Sequence, residues 1–330
     1  MPGFQASNFQ IQPFSGRGFE ADWLIAADDF NDPVARVDLA AELVAPATHV
    51  LIEDMMPLVG LDQLRAPRLD PEFGRRECER LLASGRKVAC LIHGSAARAP
   101  ALHRGLYPWS PFHDRDSDLH AARVRDADKT LAALADLDVP VFVATLDMLE
   151  YVPNADWLPI VIGRDDFAPA PPWCAGPKLK VAHAPTSAAL KGSEFVDAAL
   201  RRLDRAGLID YRSVRGVPPV AMPRLLRQVD VVVDQVVLGN PATLLNQTMA
   251  AGRLGVAHVS PAVRRRYDVA PPVVEADPSN IAQVVADIAA DPEAYRRLAE
   301  SGPAFARRFH DGRLAAEVLT RHFLKPEEGS

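Results

Sequence analysis

The hydrophobic pattern of this chain alternates between short apolar runs of strand length and longer amphipathic stretches of helical period. In the first half the predicted strands are THVLIED (48–54), KVACLIHG (87–94), VPVFVAT (139–145) and LPIVIG (158–163), and the predicted helices are EFGRRECERLLASG (72–85) and DLHAARVRDADKTLAALADL (118–137). Uninterrupted apolar runs that alternate with helices are typical of parallel strands covered on both faces. Residues 1–30 are harder to interpret and predict no convincing helix.

The alternation restarts after a proline-rich segment, FAPAPPWCAGP (167–177), which we interpret as a linker. Beyond it the predicted strands are KLKVAHA (178–184), DYRSVRG (210–216), VDVVVDQ (229–235) and LGVAHVS (254–260), with helices near 193–206, 222–228 and 243–252 and a helical tail from about Asn280. The pattern therefore predicts an α/β protein with two doubly wound, Rossmann-like domains, residues 1–166 and 178–330, and a cleft between them.

Composition and charge narrow the function classes. The 330 residues carry a formal charge of −6, which argues against a general nucleic-acid binder. The three cysteines and the histidines lack the spacings of metal sites, and no run approaches the roughly 18 apolar residues of a membrane span. The start of the chain lacks the features of a secretory signal. We expect a cytoplasmic protein without a metal or another cofactor.

The first candidate for binding chemistry is PTSAALKGSE (185–194), which follows a predicted strand and starts a helix. Ligands of open parallel sheets bind beyond the carboxyl ends of the strands. Backbone N–H groups at a helix start, with Lys191 and the close approach that Gly192 allows, favour a phosphate, and Ser193 can cap the helix. The alternative is a surface lysine beside an ordinary helix start.

The second candidate is the loop after the strand VDVVVDQ. Asp234, Asn240 and Thr243 can hydrogen-bond a ligand there, at a strand end and a helix start, and Gly239 lies between them. The alternative is a plain crossover in which Thr243 is the N-cap of the following helix. In the first half, a His-Gly-Ser sequence beginning at His93 follows the strand KVACLI at the corresponding place.

These segments together resemble a GT-B glycosyltransferase of the large family four type, as found in actinobacteria. HAPTSAALKGSEFVDAAL (183–200) and the VVVDQ…G…MAAGR block (231–253) resemble the C-terminal half of such proteins. CLIHGS (90–95) with ALHRGLYPWSPF (101–112) resembles the N-terminal half, and VPVFVATLDMLEYVPNADWLPIVI (139–162) resembles the segment that leads into the linker. The resemblance covers about residues 48–260 and is carried by the order and spacing of the motifs.

The resemblance implies transfer of a sugar from a nucleotide-sugar donor to an acceptor, with retention at the anomeric carbon. It implies no metal, because basic side chains and helix amides stabilise the leaving diphosphate. His93 and Lys191 would be the catalytic residues. The implied donor-binding residues are Gly94, Ser95, Thr186, Lys191, Gly192, Ser193, Asp234, Gly239, Asn240, Thr243 and Gln247. The acceptor stays open between a small molecule, a glycan, a protein and a nucleic-acid base.

The sequence also departs from the family pattern. Gln247 stands where family members carry a glutamate that binds the nucleotide ribose, a second basic residue is missing before Lys191, and the usual first strand, glycine turn and helix are absent or shortened. An amide still accepts a hydrogen bond from a hydroxyl, without charge assistance. The alternative to an active transferase is therefore a catalytically degenerate homologue that serves as a binding or partner subunit. An epimerase, which shares the fold type, would be expected to show paired carboxylates and a histidine around the cleft, a pattern that is not evident in this sequence.

Overall fold

The computed structural model describes residues 5–12, 21–58, 70–167 and 173–324. The chain divides into two compact units, each assembled from separate segments. The first contains Met1–Leu102, Arg115–Leu158 and Ala315–Ser330, and the second contains His103–Asp114 and Pro159–Leu314. The boundary after Leu158 precedes the predicted linker, 167–177, and residues 168–172 of that linker lie outside the described residues.

The first unit is built on a parallel sheet whose strands follow one another in chain order. A separate parallel pair, β1 (Phe9–Gln12) and β2 (Trp23–Ala26), precedes the four strands β3 (His49–Glu53), β4 (Lys87–Ile92), β5 (Val141–Val143) and β6 (Asp156–Trp157). The helices of this part are α1 (Ala27–Asn31), α2 (Pro33–Leu39), α3 (Pro71–Ala83), α4 (Gly94–Ala97), α5 (Pro100–Leu106) and α6 (Asp118–Ala135). The boundary between the units falls within α5.

Different segments cover the two faces of the four-stranded sheet. Successive side chains of a strand point to opposite faces. One set, which includes Ile52 and Cys90, packs with residues of α3 and α6 in one apolar cluster. The other set, which includes Ala89 and Phe142, packs with Phe323 and other apolar residues of the segment 315–324. The last helical segment therefore belongs to the first unit, whereas the sequence analysis places it in the C-terminal domain.

The second unit contains a five-stranded parallel sheet with a reversal in strand order. Its strands are β7 (Leu179–His183), β8 (Ile209–Ser213), β9 (Val231–Val233), β10 (Leu254–Ala257) and β11 (Val273–Glu275), in the order β11-β10-β9-β7-β8. Its helices are α7 (Ala188–Lys191), α8 (Ser193–Arg205), α9 (Met222–Leu226), α10 (Thr243–Ala250), α11 (Pro261–Arg266), α12 (Ile281–Ala290) and α13 (Glu293–His310), and α14 (Arg313–Leu319) begins at its end. The order reverses between β7 and β9, which is where ligands bind in doubly wound sheets.

Two predicted elements differ from the structure. The segment 158–163 is not a strand: Pro159 has no N–H to donate, and the N–H of Ile162 donates to the carbonyl oxygen of His310 at 2.8 Å instead of to a strand. Strand β11 is not predicted from the sequence, because its three residues, 273–275, follow two prolines and are too few to form a hydrophobic pattern.

Candidate functional site

The reversal point of the second sheet brings the end of β7 beside the start of α8. His183 is completely buried, and its Nδ1 lies 2.8 Å from the carbonyl oxygen of Val233 at the end of β9. Because a carbonyl only accepts, Nδ1 carries the proton, and Nε2 accepts from the hydroxyl of Ser193 at 2.8 Å. Burial lowers the pKa of His183, which favours this neutral form. Ser193 is thus committed to His183 and does not cap α8.

The buried charges at this point are those of Lys191 and Asp234. Nζ of Lys191 lies 2.8 Å from Oδ1 of Asp234, and the side chain of Asp234 is completely buried. The second carboxylate oxygen, Oδ2, has no hydrogen-bond partner among the described residues. An ammonium group has three donors, so one bond to Asp234 leaves two N–H groups for a ligand. Lys191 is therefore not the ordinary surface lysine of the alternative interpretation.

Gly192 fixes the path of the chain between α7 and α8. It is the N-cap of α8 and has a left-handed conformation, with φ of +66°. A Cβ atom there would lie 2.8 Å from Cγ2 of Val236 and 2.9 Å from Cγ1 of Val237. The N–H of Gly192 donates to Ala189 within the turn, so this amide is not free for the predicted diphosphate contact. Thr186 is exposed two residues before α7.

The predicted glycine loop after β9 is held from within by one side chain. Gln235 is completely buried, and its Oε1 accepts hydrogen bonds from the N–H groups of Leu238 at 2.6 Å and Gly239 at 3.2 Å. Its Nε2 donates to the carbonyl oxygen of Asn240 at 2.7 Å. The N–H groups of Leu238 and Gly239 are therefore engaged within the loop, whereas Oδ1 of the buried Asn240 has no hydrogen-bond partner among the described residues.

An aromatic side chain covers the glycine loop. A Cβ atom on Gly239, which has φ of +81°, would lie 2.4 Å from Cε1 of Tyr107. Tyr107 is buried between the rings of His103, 4.5 Å away, and His258, 6.1 Å away. The segment His103–Asp114, which the sequence analysis links to the N-terminal half, thus packs within the second unit.

The helix after the glycine loop carries Gln247. α10 begins at Thr243, an exposed residue, and Ala242 is its N-cap without a side-chain bond, so Thr243 is not the cap. Nε2 of Gln247 lies 3.2 Å from both Oδ1 and Oδ2 of Asp166. Asp166 is buried in a short 3-10 helix, Arg164–Phe167, and burial raises its pKa while the bond from Gln247 opposes that shift.

His93, in the first unit, is the N-cap of α4 and is partly exposed. Its Nε2 lies 3.7 Å from Oε2 of Glu53, and its backbone N–H donates to Oδ1 of Asp54 at 2.7 Å. Although burial opposes the shift, the two carboxylates raise the pKa of His93, and His93 lowers the pKa of Glu53. Gly94 begins α4 beside the guanidinium of Arg98, which forms a buried ion pair with Asp147, and Ser95 follows in the same helix.

The hydrogen-bond and ion-pair partners of these residues are not evident from the sequence. Asp234 and Gln235 stand out as polar residues after an apolar strand, but the sequence does not show what they contact. Asp234 pairs with Lys191, which is 43 residues away in the chain, and Gln235 folds back onto the loop that follows it. Asp166 and Glu53 carry no pattern that distinguishes them from other acids. Within the described ranges there is no group of histidine, cysteine and acidic residues that could hold a metal ion, and no helix is long and apolar enough to cross a membrane.

The fold is similar to solved GT-B glycosyltransferases. HepE from Anabaena in complex with UDP and glucose matches with a TM-score of 0.53 at 10% identity, over 76% of this chain and 75% of that chain. A sucrose-phosphate synthase from Thermosynechococcus elongatus matches with a TM-score of 0.57 at 14% identity, over 88% and 75%. WaaG, a glycosyltransferase involved in lipopolysaccharide biosynthesis, matches with a TM-score of 0.51 at 10% identity, over 76% and 82%.

No protein-family model and no curated protein matches the sequence. At such low identities the structural similarity shows the fold alone. It confirms the predicted α/β fold class of GT-B type, with two Rossmann-like units.

Proposed function

We propose that this protein transfers a sugar from a nucleotide-sugar donor to an acceptor, as a retaining, metal-independent GT-B glycosyltransferase similar to family four. The proposal depends on the position of Lys191, which is buried at the reversal point of the second sheet. Its ammonium group makes one bond to Asp234 and has two further N–H groups for a ligand. A buried ammonium at this place suits the phosphates of a donor. The similarity to HepE, which was solved with UDP and glucose, supports the same ligand class.

In the proposed reaction Lys191 stabilises the negative charge that develops on the leaving diphosphate. A hydrogen-bond donor that is held in place in a site shielded from water stabilises such negative charge more strongly than water does. His93, whose imidazole stands beside two carboxylates, positions the sugar or the acceptor. The proposed reaction requires no resident cofactor, and the acceptor class is left open.

The alternative, a catalytically degenerate homologue, is favoured by one specific observation. Two N–H groups of the glycine loop donate to Gln235, and the ring of Tyr107 lies against Gly239. Side chains of this protein thus occupy positions around the loop that a ligand would need. In this alternative the protein binds a nucleotide or a partner protein without transferring a sugar.

The test is isothermal titration calorimetry with UDP, GDP and ADP, each also as its glucose derivative. The double variant Lys191→Met/Asp234→Asn removes both buried charges together, and Lys178→Met, an exposed lysine of the same unit, is the control. We expect one nucleotide series to bind the wild type and Lys178→Met but not the double variant. Absence of binding at millimolar ligand would refute the donor proposal. Binding without donor hydrolysis or transfer to any acceptor would instead support the degenerate alternative.

A further inference from the structure

The contact between Asp166 and Gln247 joins a short 3-10 helix to the helix that follows the glycine loop. Nε2 of Gln247 is equidistant, at 3.2 Å, from the two carboxylate oxygens of Asp166. Asp166 is only 5% exposed, whereas Gln247 is partly accessible to solvent. The buried partner therefore holds the amide from one side, and the other side of Gln247 faces outward.

This contact determines which way the Gln247 amide is turned. The two ends of an amide are nearly indistinguishable by shape, and their assignment follows from their hydrogen-bond partners. An ionised carboxylate accepts and cannot donate, so only the NH₂ group of Gln247 can face Asp166. The carbonyl oxygen, Oε1, then points away from Asp166, and no hydrogen bond within the described residues occupies it. The contact with Asp166 takes up one N–H of the amide, so Gln247 offers a ligand the neutral acceptor Oε1 and the second N–H.

We propose that Asp166 is a positioning residue that fixes the amide of Gln247 so that Oε1 accepts a hydrogen bond from a ligand hydroxyl. This inference rests on the proposed function: the ligand is the nucleotide-sugar donor, and the hydroxyl is one of its ribose, which the resemblance to GT-B glycosyltransferases would place at Gln247. A neutral acceptor suits a hydroxyl, which donates one hydrogen bond, and gives no advantage to a phosphate oxygen, which only accepts. Asp166 itself stays behind Gln247 and does not contact the ligand.

The test compares the affinity for UDP with that for 2′,3′-dideoxy-UDP, or the corresponding pair for whichever base binds. One net hydrogen bond changes affinity by roughly three- to tenfold, which is the ribose preference we expect of the wild type. Asp166→Asn should reduce this preference toward equal affinity, because the new amide also donates and allows Gln247 to turn. The matched control is Asp165→Asn, which changes the exposed neighbouring acid and should keep the preference.

Rescue separates positioning from a merely structural role. In the double variant Asp166→Asn/Gln247→Glu, a carboxylate replaces the amide and accepts in either orientation, so the ribose preference should return. A preference that Asp166→Asn leaves intact, or that the double variant does not restore, would overturn the inference while leaving the proposed function in place. A wild type that binds UDP and its dideoxy analogue equally well would also overturn the inference alone. A wild type that binds no nucleotide would refute the proposed function and the inference with it.

Discussion

Nζ of Lys191 lies 2.8 Å from Oδ1 of Asp234, at the point where the strand order of the second sheet reverses. The two buried charges are opposite, so the pair is close to neutral before any ligand binds. A phosphate at this place adds negative charge next to Asp234 and competes with it for the same ammonium. The pair therefore holds the lysine in place for a ligand and also weakens the attraction that a lone lysine would exert.

Removing one partner of this pair should destabilise the fold strongly. Lys191→Met leaves the completely buried carboxylate of Asp234 without its counter-charge, and we expect a loss of about 3–5 kcal/mol in the free energy of unfolding. Lys191→Met/Asp234→Asn should recover most of that loss, because no unpaired charge remains buried. Urea denaturation at neutral pH measures both. Equal stability of Lys191→Met and the wild type would show that the pair is not buried as described.

Replacing Gly192 should destabilise the protein for two reasons, its left-handed backbone and its close contact with two valines. Gly85 shares only the left-handed backbone and therefore separates the two effects. Gly192→Ala forces a left-handed alanine and places its Cβ within 3 Å of Val236 and Val237, which together should cost about 2–4 kcal/mol. Gly85 also has a positive φ, +81°, but no atom of the described part of the chain lies within 4 Å of a Cβ added there. Gly85→Ala should cost only about 1 kcal/mol. Comparable losses in urea unfolding would mean that the contact with the two valines is absent.

Stability should fall with decreasing pH because of His310. Burial lowers the pKa of His310 to about 4, while its ordinary value is 6.5, and its Nδ1 donates to the carbonyl oxygen of Ile160. Between these values the unfolded chain binds a proton that the folded chain does not. The free energy of unfolding is thus unaffected by the titration of His310 above about pH 6.5 and falls by about 3 kcal/mol as the pH approaches 4.

The variant His310→Asn isolates this contribution. Its side-chain amide can still donate to Ile160 but does not titrate. Urea unfolding of both proteins at pH 7, 5.5 and 4.5 should show the wild type losing more stability than the variant as the pH falls. Parallel pH profiles would contradict the depressed pKa.

Phe323 should stabilise the first unit although it lies near the end of the chain. Its ring is buried against Ala89 and Phe142 of the four-stranded sheet and meets the ring of His49 at 5.2 Å. Phe323→Ala should cost about 3 kcal/mol and speed hydrogen exchange of the β4 and β5 amides. Arg321→Ala, at an exposed position two residues earlier, should leave both unchanged. Unchanged exchange in Phe323→Ala would place the terminal segment elsewhere.

Helices with a long apolar periodicity are predictable from this sequence, whereas short strands such as β11 are not. The predicted helices over 72–85 and 118–137 correspond to Pro71–Ala83 and Asp118–Ala135, because their apolar periodicity and N-terminal caps, Asp70 and Ser117, are local signals. The apolar positions of the terminal segment show that it packs but not against which sheet, so its contact with the first sheet does not follow from the sequence.

The candidate site was only partly predictable for the same reason. Helix starts and strand ends are local features, so Lys191, Gly192 and Asp234 could be selected from their positions along the chain. The partners that decide what these residues can do are distant in sequence: Asp166 is 81 residues from Gln247, and Lys191 is 43 residues from Asp234. Neither contact follows from spacing, since each joins two elements that are far apart in the chain.

The return of the chain to its first sheet has a consequence for how the protein is made. A ribosome releases the strands β3 to β6 long before it adds the residues that cover one side of them. During that interval Leu51, Leu91 and Phe142 present an apolar surface, of the kind that chaperones bind and that favours aggregation. The sheet of the first unit is therefore synthesised before the strands of the second unit, and one of its faces is covered only after them.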